Sequence, residues 1–198
     1  MKIGVLAIQG SFSLHKATLQ KLGTTVVEVR KTKHLEGLEG LIIPGGESTT
    51  FQILLSEGGL REVLIRQIRS GLPVWGTCAG AIILGRGMEL PQPRFELIDV
   101  VIKRNAYGRQ VDSFVAPLNI SGFKEPFNGV FIRAPRFTEP GEHVKILASL
   151  RDEAVMIRQE SIMVTSFHPE LASDDRIHRY FLDEICSDNK LRTLSSAV

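Results

Sequence analysis

Cysteine is scarce in this chain: two residues in 198 cannot build a disulfide framework. Thiols left free in this way belong to a reducing compartment, so the cytosol is the expected location. Charge of one sign is also lacking, with 24 basic against 22 acidic residues and a formal charge of +2. So small a balance gives no basic face for a phosphate backbone, and nucleic acid is not an expected partner. Long apolar runs are missing as well. No segment approaches the ~20 residues of a membrane span, and the run from Met1 to Ile8, cut off by Gln9-Gly10, is too short for a signal peptide. No membrane partner is expected. Neither Gly-x-x-x-x-Gly-Lys nor Gly-x-Gly-x-x-Gly occurs, which weakens any phosphate-binding reading. A His-x-Glu step at 168–170 lacks the downstream Pro-Cys-x-x-Cys of zinc deaminases. No metal and no cofactor is expected.

What remains is an ordinary globular composition, 43% hydrophobic and 23% charged with nine prolines. It predicts one domain over residues 1–188 and a polar, frayed tail over 189–198. Ile3 to Ile8 is an unbroken apolar run of the kind found in buried parallel strands. A helix through Leu14, Thr18, Leu19 and Leu22 follows, stopped by Gly23, and Thr25 to Val29 is the next strand. Leu41 to Ile43 is a third strand. Helical spacing from Phe51 to Ile68, interrupted at Gly58-Gly59, leads to a strand opening at Pro73 to Trp75. This alternation predicts an α/β fold, a mainly parallel sheet covered on both faces. Beyond Gly87 the segments 97–102, 111–120, 130–132, 145–149, 154–158 and 161–167 read as strands, an antiparallel extension of the sheet. A last amphipathic helix spans Asp175 to Cys186, with Ile177, Tyr180, Phe181 and Ile185 on one face.

Three segments carry chemistry. Pro73 to Leu84 is an apolar strand, a Gly76-Thr77-Cys78-Ala79-Gly80 turn and an apolar helix, the pattern of a nucleophile elbow. A lone free cysteine is most often a small core residue. Between paired glycines at a helix start, Cys78 reads as a nucleophile instead, with the Ala79 N–H aimed at a developing oxyanion. Cys186 has no such context and reads as core. The second segment runs from Ser161 into His168-Pro169-Glu170, where extended backbone would place His168 and Glu170 on one side. Glu170 would then fix the tautomer of a proton-relaying His168. A surface histidine capping a strand is the bland alternative, and the other histidines, His15, His34, His143 and His178, stand in poorer contexts for a base. Third, Pro44-Gly45-Gly46-Glu47-Ser48-Thr49-Thr50 delivers a glycine pair to a helix start, either a ligand-approaching loop or an ordinary capped turn.

Together, Gly-Thr-Cys-Ala-Gly at 76–80, Pro-Gly-Gly-Glu-Ser-Thr-Thr at 44–50 and Ser-Phe-His-Pro-Glu at 166–170 resemble the class I, triad-type glutamine amidotransferases. The segments 4–10, 104–114 and 129–135 narrow the resemblance to the glutaminase subunits of pyridoxal 5′-phosphate synthase. The resemblance implies a three-layer sandwich in which Cys78, His168 and Glu170 hydrolyse L-glutamine. It places substrate contacts on Gly46, Glu47, Ser48, Arg104, Ile132 and Arg133, and an oxyanion hole on the backbone of Gly46 and Ala79. Without it, Arg104 and Arg133 read as solvated surface charges. It also implies a partner, the synthase subunit that receives the ammonia in a large hetero-oligomer. Leu14 stands where the family has glutamate, in a helix near the partner surface. Two other readings stay open on the residues alone: a different cysteine hydrolase, such as a peptidase or deglycase, and a non-catalytic adaptor.

Overall fold

The computed structural model describes residues 1–87, 94–104 and 113–188. The expected tail and positions 105–112 of the Arg104–Phe114 segment lie outside these residues. The chain alternates strand and helix through β1 (Lys2–Leu6), α1 (Phe12–Lys21), β2 (Thr25–Val29), β3 (Gly40–Ile43), α2 (Ser48–Ser56), α3 (Leu60–Arg69), β4 (Val74–Thr77) and α4 (Ala79–Leu84). Short strands follow: β5 (Val101–Lys103), β6 (Ser113–Leu118), β7 (Phe127–Ile132), β8 (Arg136–Thr138), β9 (Lys145–Leu150), β10 (Glu153–Gln159) and β11 (Ile162–Thr165). The last helix is α5 (Arg176–Tyr180), which continues as a wider π-type turn over Phe181–Cys186.

A seven-stranded sheet in the order β2-β1-β3-β4-β11-β10-β9 forms the middle layer. Strands β2, β1, β3, β4 and β11 run parallel, and β10 and β9 extend the sheet antiparallel. Side chains alternate across the pleat, so neighbouring residues enter different cores. Leu41, Ile43, Val74 and Val164 pack with Phe51, Leu55, Leu64, Ile68 and Ile83 of α2, α3 and α4. Ile3, Val5, Ile42, Trp75 and Met163 pack on the other face with Leu19 of α1, with Ile177, Phe181 and Ile185, and with Phe127 and Phe131 of β7. Burying an aliphatic or aromatic side chain of this size contributes about 1.5–3 kcal/mol. Two apolar faces on one sheet thus explain why helices cover both sides.

Four departures from the expected pattern have physical causes. First, only β10 and β9 extend the central sheet; β6 pairs with β7 and β5 with β8 as two separate ribbons. Second, the segment expected as strand from Leu97 becomes one only at Val101. The N–H groups of Phe95, Leu97 and Ile98 donate instead to the carbonyls of Ile83 and Leu84, which end α4 without helical partners. Third, the buried face of α1 is His15 and Leu19, while Leu14 is exposed. Fourth, the π turn carries Leu182 and Cys186 inward beside Phe181 and Ile185, leaving Tyr180 only half-buried.

Two close approaches of bare backbone fix the junction of β3, β4 and α4. A Cβ on Gly80 would lie 2.0 Å from the Ile43 carbonyl oxygen, and one on Gly76 would lie 2.7 Å from the Gly80 carbonyl carbon. Neither neighbour is a side chain that could swing aside. Gly80→Ala is therefore expected to lower the unfolding free energy by about 2 kcal/mol or more, within the range for overpacked sites. Urea denaturation measures it, and an unchanged midpoint would contradict the packing of α4 on β3.

Candidate active site

The turn between β4 and α4 puts Cys78 in a conformation that side-chain-bearing residues avoid, φ 47° and ψ −100°. Its N–H donates to the Thr165 carbonyl at 2.9 Å, and its own carbonyl accepts from the Ile82 N–H at 3.1 Å. The first bond ties the elbow to β11 and the second opens α4. Cys78 is therefore held at a helix start between strand and helix, where the sequence places it.

His168 arrives by a change of sheet. At the end of β11 the Ser166 N–H still donates to Val155 of β10, but two residues later the His168 N–H donates to Val130 of β7. Phe167 anchors the crossing, packed against Phe127 and Phe131 with ring centroids 5.9 and 5.5 Å away. Extended backbone does not continue to Glu170 as expected. Pro169 to Leu171 form a single 3-10 turn, with proline at its first position, and this tight turn folds the Glu170 carboxylate back under the ring. His168 Nδ1 lies 2.8 Å from Glu170 Oε1. The Cys78 side chain lies beside the imidazole, since a Cβ on Gly45 would come 2.5 Å from the His168 ring and 3.5 Å from the Cys78 Cβ.

Burial opposes charge on both members of the pair, yet both are charged. Desolvation lowers the His168 pKa, but its hydrogen bonds and charge interactions with Cys78 and Glu170 override this and raise it from 6.5 to about 10. Burial likewise favours protonated Glu170, but His15 and His168 hold its carboxyl well below the usual carboxylate range. The Ser11 hydroxyl donates to Glu170 Oε1 at 2.6 Å. Oε2 has no well-aligned hydrogen bond among the described residues; its nearest group is His15 Nε2 at 3.3 Å.

Cys78 and His168 open onto a cavity of about 190 Å³, which Ile82 also lines. The remaining wall holds all the positions for which substrate contact was expected, Gly46, Glu47, Ser48, Arg104, Ile132 and Arg133. Ile132 ends β7, and Arg133 follows it with a positive φ of 43°. Glu47 is bound before any ligand arrives. Its carboxylate accepts the N–H groups of Thr49 and Thr50 at 3.0 and 2.7 Å and meets Arg104 at 3.0 Å. Burial works against this charge, but those N–H groups lower its pKa to about 2. Gly45 and Gly46 are wedged in place. A Cβ on Gly45 would come 2.5 Å from the His168 ring, and one on Gly46 would come 2.7 Å from the Gln9 amide. The Gly45 carbonyl accepts the Ser11 N–H at 3.1 Å, and Gln9 Nε2 donates to the Glu47 carbonyl at 2.8 Å.

Sequence reasoning missed three polar groups here: Ser11, His15 and His178. His15 Nδ1 lies 3.0 Å from His178 Nε2, and both rings are fully buried. A signal existed. His15 lies one helical turn before the buried Leu19, and His178 lies next to the buried Ile177, places where an unpartnered imidazole would be costly. Among the described residues no three His, Cys, Asp or Glu side chains converge as a metal site.

Residues 5–187 match the model of the SNO glutamine amidotransferase family. A protein of Thermosipho africanus named "Pyridoxal 5'-phosphate synthase subunit PdxT" is 49% identical over 93% of this chain and 99% of its own length. A namesake in Thermus thermophilus is 52% identical over 91% of this chain and 96% of its own length. A crystal structure described as glutamine amidotransferase superposes with a TM-score of 0.88 at 48% identity, covering 93% of this chain and 98% of that one. At 18% identity, a putative GMP synthase component from Thermoplasma acidophilum shares the fold with a TM-score of 0.69, covering 98% of this chain and 97% of that one. With its parallel sheet, its strained Cys78 elbow and this match over nearly its whole length, the chain belongs to the SNO glutamine amidotransferase family.

Proposed function

We propose that this chain hydrolyses L-glutamine to L-glutamate and ammonia and supplies the ammonia to a synthase subunit that makes pyridoxal 5′-phosphate. The observation that carries the reading is that Cys78 and His168 share the wall of one small cavity while Glu170 hydrogen-bonds the His168 ring. The names of the relatives support the pathway and the partner. A cavity of about 190 Å³ is smaller than the roughly 300–1,000 Å³ of sites for drug-sized ligands, which favours a free amino acid over a peptide. A peptidase reading has no comparable support.

In this mechanism the Cys78 sulfur attacks the side-chain amide carbon of glutamine. The carbonyl oxygen becomes an oxyanion, taken up by the N–H groups of Ala79 and Gly46. Ala79 opens α4, where a first-turn N–H has no helical acceptor. His168 passes a proton to the departing nitrogen, ammonia leaves and a thioester remains. Water then attacks the thioester with His168 as base, the carbon–sulfur bond breaks, and glutamate is released. Glu170 keeps the His168 ring oriented and offsets its positive charge throughout. Arg104 and Arg133 offer guanidinium groups to the substrate carboxylate, while Glu47, Ser48 and Ile132 complete the pocket. Arg104 reaches the carboxylate by exchanging its resting contact with Glu47, a half-exposed pair of modest strength.

The direct test is glutamine-dependent ammonia release with and without the synthase subunit. Cys78→Ala should lose at least about a thousandfold in rate, the scale for removing a nucleophile; normal turnover by that variant would refute the reading. A second measurement follows the His168 ring by NMR through a pH titration. In the wild type the imidazolium should persist below about pH 10 and deprotonate above it. Cys78→Ala removes the first-named of the raising causes, so the titration should move down. An unmoved titration would show that sulfur and imidazole do not interact.

A further inference from the structure

Behind Glu170 lies a buried histidine pair to which the mechanism above gives no task. His15 comes from α1 and His178 from α5, and neither ring reaches solvent. Trp75 of β4 packs edge-on against both, with centroids 5.5 Å from His15 and 5.0 Å from His178. The rings themselves stand 5.1 Å apart. They form a line from the catalytic carboxylate into the core: Glu170 Oε2 to His15 Nε2 at 3.3 Å, then His15 Nδ1 to His178 Nε2 at 3.0 Å. Thr77, one residue before Cys78, lies 3.5 Å from His15 Nε2 through its hydroxyl.

We propose that His15, with its tautomer set by His178, is a positioning residue for the reaction: its Nε2–H, 3.3 Å from the outer oxygen of Glu170, attracts that oxygen electrostatically and so steadies the carboxylate that orients His168. This rests on the glutaminase reading above. The proton placement follows from counting donors. Burial and then the neighbouring His15 lower the His178 pKa to about 3, so His178 carries a single N–H. Its Nδ1 has no partner among the described residues. Were the proton there, a buried N–H would be orphaned. His178 Nε2 would then present a lone pair to His15, drawing the His15 proton to Nδ1, and a bare His15 Nε2 would face a carboxylate with only the Thr77 hydroxyl, 3.5 Å away, to donate to it. Placing the His178 proton on Nε2 removes both faults. It donates to His15 Nδ1, and His15 keeps its own proton on Nε2, facing Glu170. The second imidazole thus does for His15 what Glu170 does for His168.

The consequence for catalysis is orientational. Glu170 Oε1 is shared by Ser11 and His168, and without a group on Oε2 the carboxylate could rotate about its last bond and loosen the His168 contact. The test compares His15→Gln, whose amide nitrogen can take the place of Nε2, with His15→Leu, which fills similar space without a donor. Both are assayed for ammonia release from glutamine with the synthase subunit present. His15→Leu should lose about 10–100-fold in kcat, the scale for groups that orient a functional side chain from behind, with KM within about twofold. His15→Gln should recover most of the loss. Equal losses in the two variants would show that packing, not the donor, matters, and kcat within twofold of wild type in His15→Leu would also overturn the proposal. Should His15→Leu fail to fold, nitrogen-15 NMR of the wild-type histidine rings decides: a protonated His15 Nε2 and a neutral His178 from pH 5 to 8 are expected, and a bare His15 Nε2 overturns it. A wild-type protein that releases no ammonia from glutamine would overturn the glutaminase reading and this inference together.

Discussion

Glu170 is a carboxylate taken almost entirely out of water, and such a charge stands only where the fold replaces its hydration. Its replacement comes from both ends of the chain. Ser11 and His15 belong to the start of α1, and His168 belongs to the strand exit more than 150 residues later. The Ser11 hydrogen bond and the His15 contact therefore do more than seat a helix on a sheet. They allow a formal negative charge to remain beneath the imidazole, which in turn keeps that imidazole positive beside Cys78.

The same economy of space governs the other side of the site. The Gly45 backbone passes where a methyl group would strike the His168 ring, and Gly80 rests against the end of β3. Backbone can approach that closely only where side chains are absent. The glycine pair and the elbow glycines are thus parts of one packing arrangement, Gly46 lining the cavity and the elbow glycines seating α4 against β3. The positive φ at Cys78 and again at Arg133 puts two strained residues on the lining of the same cavity. Strain of that kind persists where surrounding contacts over-determine the conformation.

Much of this was legible in the sequence, and what was not had a common cause. Apolar runs at 3–8, 25–29, 41–43 and 73–75, alternating with helical spacing, carried the parallel sheet because those signals are local. Pairing partners are not local, so the strands at 113–118 and 127–132 were read as part of the central sheet when they form a ribbon of their own. The His168–Glu170 contact was expected for a reason the backbone does not follow: a tight turn, not an extended step, brings the two together. Arg104 and Arg133 could be tied to the site only through family resemblance, since nothing in their neighbourhood distinguishes them from surface charges. His15 and His178 are 163 positions apart, and only tertiary packing makes them neighbours.

The second thiol adds a property of a different kind. Cys186 packs against Gly40 at the start of β3, whereas Cys78 lies beside Gly45 just past its end. Five residues of near-extended chain separate those contacts, roughly 16 Å at about 3.3 Å per residue, far beyond the span of about 7 Å between Cα atoms that a disulfide can bridge. Burial, followed by the charge of Glu39, also pushes the Cys186 thiol up to about 12. A sulfenic acid formed at Cys78 by peroxide would find no resolving partner inside the molecule, so its repair falls to small thiols or reductases from outside.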